Sequence, residues 1–308
     1  MDRHITGSTQ AMGQETTPLL SAQQLEDYKQ NGVLFPVALL TPDQADSTRE
    51  AFCALEAMCG TRPTPNITSQ CHLHFPWVFE LISDPVLLDT VQQIIGEDIL
   101  VHSTTLFHKH SRETQFVSWH QDAYYWGLSE PRLVSVWIAL TLSTSENGCM
   151  QVIRASHRSG VLPHCLEARD KRNLLRSGLV VSDSPELGSA QDVILQPGQF
   201  SLHHPYTIHG SSPNRSGTAR MGFAIRYVSA AVSQSGFHHE VLALRGNTRA
   251  SRYKIVLPPD ETNPQRALSN QMCFAERLAK QRRQQNRPDS KARIPLVGQS
   301  VTRYKDEQ

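Results

Sequence analysis

Apolar and polar positions follow two different rhythms along this chain. From residue 21 to about residue 97 the apolar residues recur at helical spacing, with stop and start signals between them. In "SAQQLEDYKQNG", Ser21 stands as N-cap, Gln24 takes the capping-box position and Gly32 ends the run, which predicts a short helix. Thr41, Pro42 and Gln44 repeat the device ahead of Phe52, Leu55 and Met58, and a third helix is expected from Asp84 and Pro85 to Gly96. From Ile99 the rhythm changes to short runs with period two or continuous apolar character: "ILVHSTTLFHKH", "VSVWIALTL", "CMQVIRA", "VILQ", "FSLHH" and "RMGFAIRYV". Turn signals separate them at 145–148, at Pro197 and Gly198, and at 212–217. The pattern argues against a βαβ alternation. It predicts a mainly β fold with flanking helices, built on a jelly-roll, cupin-like core (a double-stranded β-helix) over 98–230.

The ends of the chain read differently. Residues 1–20 are polar and expected to form a tail, 21–258 one domain with a helical lead-in over 21–97, and 259–308 a polar, basic helix and tail. Between 276 and 293 seven Lys or Arg face Glu276 and Asp289, a solvated surface or a docking site for an acidic partner. Over the whole chain Lys plus Arg (30) nearly balance Asp plus Glu (29), so no field draws it to nucleic acid or anionic lipid, and a small molecule is the expected partner. Six cysteines at 53, 59, 71, 149, 165 and 273 form no C-x-x-C pair, the N-terminal residues lack an apolar leader, and no run is long and apolar enough to span a bilayer. The expectation is a cytoplasmic protein with reduced thiols; oligomeric state is left open.

Nucleotide-binding and hydrolase signatures such as G-x-G-x-x-G, the P-loop, G-x-S-x-G and H-E-x-x-H are absent. What stands out is "WHQDAYYWGL", with His120 and Asp122 two residues apart, and a later histidine-rich run, "SLHHPYTIHGSS". On a strand, positions 120 and 122 would project to one face and share an ion. A histidine from a distant strand would complete a set of two imidazoles and one carboxylate, which fills three positions of an octahedral ferrous ion and leaves three open. Arg220, on the last predicted strand, could fork onto a dicarboxylate bound there, or make a surface ion pair. Ser135 and Trp137 share one face of "VSVWIALTL" and offer a hydroxyl and an indole edge to the same acid. Tyr124, Tyr125 and Trp126 are either core or substrate wall, Gln121 points away from its neighbours, and Lys109 reads as an exposed lysine at a strand end.

Taken in order from about residue 20 to 230, "LSAQQLEDYKQNGVLFP", "SWHQDAYYWGL", "VSVWIALTLSTSENGCMQVIRASH" and "PGQFSLHHPYTIHGSSPNRSGTARMGFAIRYV" resemble the phytanoyl-CoA dioxygenase superfamily of Fe(II)/2-oxoglutarate oxygenases. "ARMGFAIRYV" is most similar to the branch holding the syringomycin-type halogenases, from which this chain departs by keeping Asp122 where those enzymes bind chloride. The resemblance implies His120, Asp122 and His209 as iron ligands, with Arg220 on the distal carboxylate of 2-oxoglutarate and Ser135 and Trp137 beside that co-substrate. His209 is preferred because it precedes the "GSSPNRSG" turn at the family's distance from Arg220, which leaves His203 and His204 as core groups or groups behind the ligands. Arg226 matches a second family arginine near the iron, or makes a salt bridge behind the site. With Tyr124, Tyr125, Trp126 and Gln121 it makes up the expected substrate pocket. The implied cofactors are Fe(II), 2-oxoglutarate and O2, with ascorbate as a reductant in vitro. The implied reaction is hydroxylation of an unactivated C–H bond in a small natural-product or catabolic metabolite, with release of succinate and CO2. Desaturation, epoxidation or cyclisation at the same iron, or a metal-binding barrel without catalysis, are the alternatives.

Overall fold

The computed structural model describes residues 20–58, 69–166, 170–175, 179–182, 189–234 and 240–285. Helix α1 (Ala22–Asn31) is closed by the reciprocal Ser21 and Gln24 capping box and ended by Gly32 in the left-handed region. Strand β1 (Val33–Ala38) follows directly. Helix α2 (Pro42–Met58) carries the same reciprocal bonds between Thr41 and Gln44, α3 (Pro76–Ile82) begins on a proline, and the Asp84 carboxylate caps α4 (Pro85–Ile95).

The strands that follow are β2 (Ile99–Lys109), β3 (Val117–His120), β4 (Leu133–Ala139), β5 (Met150–Ile153), β6 (His164–Leu166) and β7 (Leu179–Val181), then β8 (Ala190–Asp192), β9 (Gln199–His203), β10 (His209–Ser211), β11 (Arg220–Ser229), β12 (Glu240–Arg245) and β13 (Lys254–Val256). The last described element is helix α5 (Pro264–Gln285). One seven-stranded sheet runs β1-β9-β4-β11-β2-β12-β13, a four-stranded sheet runs β3-β10-β5-β8, and β6 pairs with β7.

The mainly β jelly-roll, cupin-like expectation is overturned by these ladders. Each sheet ends in unpaired edges, β1 and β13 in the large one and β3 and β8 in the small one, so neither closes on itself. Five α-helices of 10, 17, 7, 11 and 22 residues contribute about as much chain as the strands. The fold is a balanced α/β arrangement of open sheets. Period-two alternation tells which residues share a face; it does not tell which strand edges meet.

The two faces of the large sheet do different work. Val134, Val136 and Ile138 of β4 and Phe223, Ile225 and Tyr227 of β11 pack with α2, α3, α4 and α5 in the main core. On the other face Trp137, Ala139 and Ala224 meet Met150 and Val152 of the small sheet. Helix α5 is not a wholly solvated helix: Ala267, Leu268, Gln271, Phe274 and Leu278 are buried, and Gln271 donates to the Ser69 carbonyl at 2.8 Å. Residues 286–293 of the basic segment, like Cys59 and the tail over 1–19, lie outside the described residues. No described helix is long and apolar enough to cross a membrane. "VILQ" forms no strand beyond a single bridge from Leu195 to Ser143.

Candidate metal centre

The polar chemistry gathers between the two sheets. His120 ends β3 and His209 begins β10, and the antiparallel ladder sets the two opposite each other with ring centroids 4.1 Å apart. Asp122 is not on the strand; it opens a single 3-10 turn, Asp122–Tyr125. Gln121 between them keeps an extended backbone (φ −116°, ψ 130°), so the alternation carries one residue past the ladder. Gln121 itself is buried on the opposite side: its amide donates to the carbonyls of Gly160 and Tyr206 and accepts from the Leu162 N–H, which pins the junction.

Both imidazoles are oriented by the backbone. Nδ1 of His120 lies 2.8 Å from the Ser118 carbonyl and Nδ1 of His209 lies 3.0 Å from the Thr207 carbonyl. A carbonyl only accepts, so each Nδ1 carries a proton and Nε2 is the nitrogen turned towards Asp122. Those two nitrogens stand 3.5 and 3.9 Å from Oδ1 of Asp122. Ligand atoms of His120, Asp122 and His209 all fall within 4.8 Å of one another, and all three residues are buried. Burial, with His120 and His203 alongside, holds His209 well below the usual imidazole range and therefore neutral. Burial pushes the Asp122 carboxyl up, but the Arg226 guanidinium with His120, His203 and His209 overrides it and keeps the group well below the usual carboxylate range. A neutral His209 and an anionic Asp122 are the protonation states a metal ligand set needs.

Arg220 is 2% exposed, and its guanidinium carbon sits 4.6 Å from the centre of the Trp137 ring. Among the described residues no carboxylate pairs with it, and its Nε has no hydrogen-bond partner. Burial brings this guanidinium down to about 10. Gly222 makes the stacking possible, because a Cβ there would lie 1.8 Å from Cζ2 of Trp137. Ser135 donates its hydroxyl proton to Oδ2 of Asp122 at 2.7 Å. Successive residues on one face of β4 therefore run from the carboxylate, at Ser135, to the guanidinium, at Trp137.

Lys109 is not an exposed strand-end residue: it is 0% exposed and donates to the Gly148 carbonyl, the Ser211 hydroxyl and the Ser212 carbonyl. Burial, with Arg220 beside it, brings its ammonium down to about 6. The lysine thus ties the end of β2 to the end of β10. Arg226 is 11% exposed, bonds Thr105 through Nη1 and lies 3.7 Å from Asp122 through Nε. Tyr124 stacks on His164 at 3.9 Å, and Trp126 packs against His102 at 5.0 Å. The Tyr125 side chain lies outside the described residues. His204 accepts from the Tyr206 N–H in a turn and His157 bonds the Lys29 carbonyl at the end of α1, both structural contacts.

Comparison with known proteins agrees with this geometry. The phytanoyl-CoA dioxygenase family profile matches residues 28–222. A probable alpha-ketoglutarate-dependent hypophosphite dioxygenase of Stutzerimonas stutzeri is 28% identical over 162 residues, covering 52% of this chain and 55% of that protein, little more than half its length. The ectoine dioxygenase of Bordetella bronchiseptica is 25% identical over 233 residues, 68% of this chain and 76% of its own. Among solved structures, the non-heme monooxygenase ThoJ in its apo form superposes with a TM-score of 0.70 at 29% identity, covering 84% of this chain and 98% of ThoJ. Given the match over most of its length and a buried cluster of two histidines and an aspartate at its centre, the chain belongs to the phytanoyl-CoA dioxygenase family and is an Fe(II)/2-oxoglutarate-dependent oxygenase.

Proposed function

We propose that His120, Asp122 and His209 hold one Fe(II), that Arg220 receives the distal carboxylate of 2-oxoglutarate, and that the enzyme hydroxylates an unactivated C–H bond of a small metabolite. The observation that carries this reading is the convergence of the Nε2 atoms of His120 and His209 on one oxygen of the Asp122 carboxylate. Such a set suits a divalent ion of borderline softness and leaves half of an octahedron for other ligands. Bound iron and 2-oxoglutarate supply the oxidation: one atom of O2 enters succinate, the other becomes the new hydroxyl, and the C1 carboxylate leaves as CO2.

The chain's own residues orient and shield that chemistry. The buried, unpaired Arg220 offers a forked donor for an anion, and the Trp137 ring beneath it fixes the plane of the fork. Ser135 and Trp137 wall the path between the carboxylate and the guanidinium, which is the length along which a dicarboxylate would lie. Tyr124 and Trp126 follow Asp122 in the chain and are assigned to the substrate, whereas Arg226, 3.7 Å from Asp122, is assigned to that carboxylate. Asp122 occupies the position that the halogenases leave for chloride, which favours hydroxyl over halogen transfer. The relatives named above act on compounds as unlike as hypophosphite and ectoine, so the substrate class assigned here is no narrower than a small metabolite. Incubation with Fe(II), ascorbate, 2-oxoglutarate, isotopically heavy dioxygen and a metabolite panel tests the reading. One heavy oxygen in the product per succinate released is expected. A product that has lost two hydrogens and gained no oxygen would replace hydroxylation by desaturation.

A further inference from the structure

The two oxygens of Asp122 have separate neighbours. Oδ1 faces Nε2 of His120 and of His209. Oδ2 faces the large sheet, where it accepts from Ser135 at 2.7 Å and has Nε2 of His203 at 3.6 Å and Nε of Arg226 at 3.7 Å. The last two distances are too long for hydrogen bonds; the Arg226 charge still attracts a buried anion strongly at 3.7 Å, and the His203 ring lies in van der Waals reach of the same oxygen. These three residues form one register row: His203 of β9 pairs with Ser135 of β4, which pairs with Arg226 of β11. The next row on the same face, Ser201, Trp137 and Ala224, offers the carboxylate no cation.

His203 is 3% exposed, yet neither ring nitrogen has a hydrogen-bond partner, and Nε of Arg226 also lacks one. Buried polar atoms left in this state cost on the order of 1–3 kcal/mol each, so a fold that keeps two of them, Nε2 of His203 and Nε of Arg226, beside one carboxylate oxygen has a use for them. Neither His120 nor His209 approaches Oδ2 as its nearest oxygen, and His203 is not one of the three converging groups.

Resting on the iron assignment above, we propose that His203, Ser135 and Arg226 act as a clamp that reserves Oδ2, so that Asp122 gives the metal Oδ1 alone. The consequence is a matter of counting coordination positions. Two imidazoles and a one-oxygen carboxylate take three of six, the co-substrate chelate takes two, and one remains for dioxygen. A carboxylate bound through both oxygens would occupy that last position. In this role Ser135, His203 and Arg226 are positioning residues: they act on the metal through Asp122.

The test uses the full chain loaded anaerobically with Fe(II) and 2-oxoglutarate, with nitric oxide as a probe of the position left for dioxygen. Fe(II) affinity is read by competition with a chromophoric chelator, and nitric oxide affinity by the electron paramagnetic resonance of the nitrosyl complex. Ser135→Ala and His203→Phe are each expected to weaken Fe(II) binding by about 10- to 100-fold and to weaken nitric oxide binding further. His203→Gln, which keeps an N–H donor, should return both to within about twofold of the wild type. The Ser135→Ala/His203→Phe pair should lose less than the product of the single losses, because both act on one oxygen. Thermal unfolding separates these effects from a general loss of fold. Wild-type Fe(II) and nitric oxide binding in both single variants, or fully multiplicative losses in the pair, would overturn the clamp. A His203→Phe variant that keeps both affinities and raises only substrate KM would also overturn it, by giving His203 to the substrate. Failure of the wild type to bind Fe(II), or undiminished binding by Asp122→Ala, would instead remove the iron assignment itself.

Discussion

Among the described residues no carboxylate pairs with Arg220, which is 2% exposed, and a buried charge in that state is unfavourable unless a ligand completes it. Truncating one partner of a buried, hydrogen-bonded charge pair costs about 2–5 kcal/mol. Arg220→Ala should therefore raise the 2-oxoglutarate KM by about 100-fold or more and leave substrate KM within a few-fold. Equal rises in both would place the co-substrate elsewhere. At this scale the approach of His120 to Asp122 was legible, because residues two apart on an extended chain share a face, while the choice of His209 among the histidines rested on the resemblance to the family. Ser135 was legible as a residue on the site face but not as a partner of Asp122, since alternation fixes direction and not distance. Lys109 misled because a strand end is exposed only if nothing folds over it, and here Ser211 and Gly148 do.

Helix boundaries were the clearest reading among the elements, because caps are local chemistry: Ser21 with Gln24, Thr41 with Gln44, and Asp84 all bond as their spacing requires. Elements that depend on partners left no such mark. Strand β1 contains Pro36, tolerated because β1 is an edge of its sheet, and it exists through pairing with β9. The seven-residue α3 is held by Val78 and Ile82 in the core more than by its own propensity. The pairing of β11 with β4 yields a sharper consequence. Gly222→Ala would set a methyl 1.8 Å from the Trp137 ring, so the ring must move out from under Arg220. A loss of about 1–3 kcal/mol in stability is expected, together with a raised 2-oxoglutarate KM. Unchanged values of both would show that the stacked pair is not needed.

Across the whole molecule, helices cover one face of a large open sheet and a small sheet covers the other, with the polar site between the sheets. That layering could not be read from periodicity, which carries no information on whether sheet edges join. It also buries imidazoles that are not among the three converging ligands. Burial brings His72 down to about 3, and His102 and His204 to about 4, from the ordinary 6.5. Below pH 6.5 the unfolded chain takes up protons that the folded chain refuses until about pH 4, so the stability these groups permit is full above pH 6.5 and falls between the two values. Unfolding free energies from denaturant titrations near neutrality and at about pH 5 should differ by about 2 kcal/mol for each such group, and a flat profile would contradict it. The central claim is that His120, Asp122 and His209 hold one ferrous ion with room for a chelating keto acid. Anaerobic addition of Fe(II) and 2-oxoglutarate tests it most directly: a weak visible charge-transfer band should appear in the wild type and vanish in Asp122→Ala and His209→Ala, whereas a silent wild type, or a band that survives in His209→Ala, would contradict it.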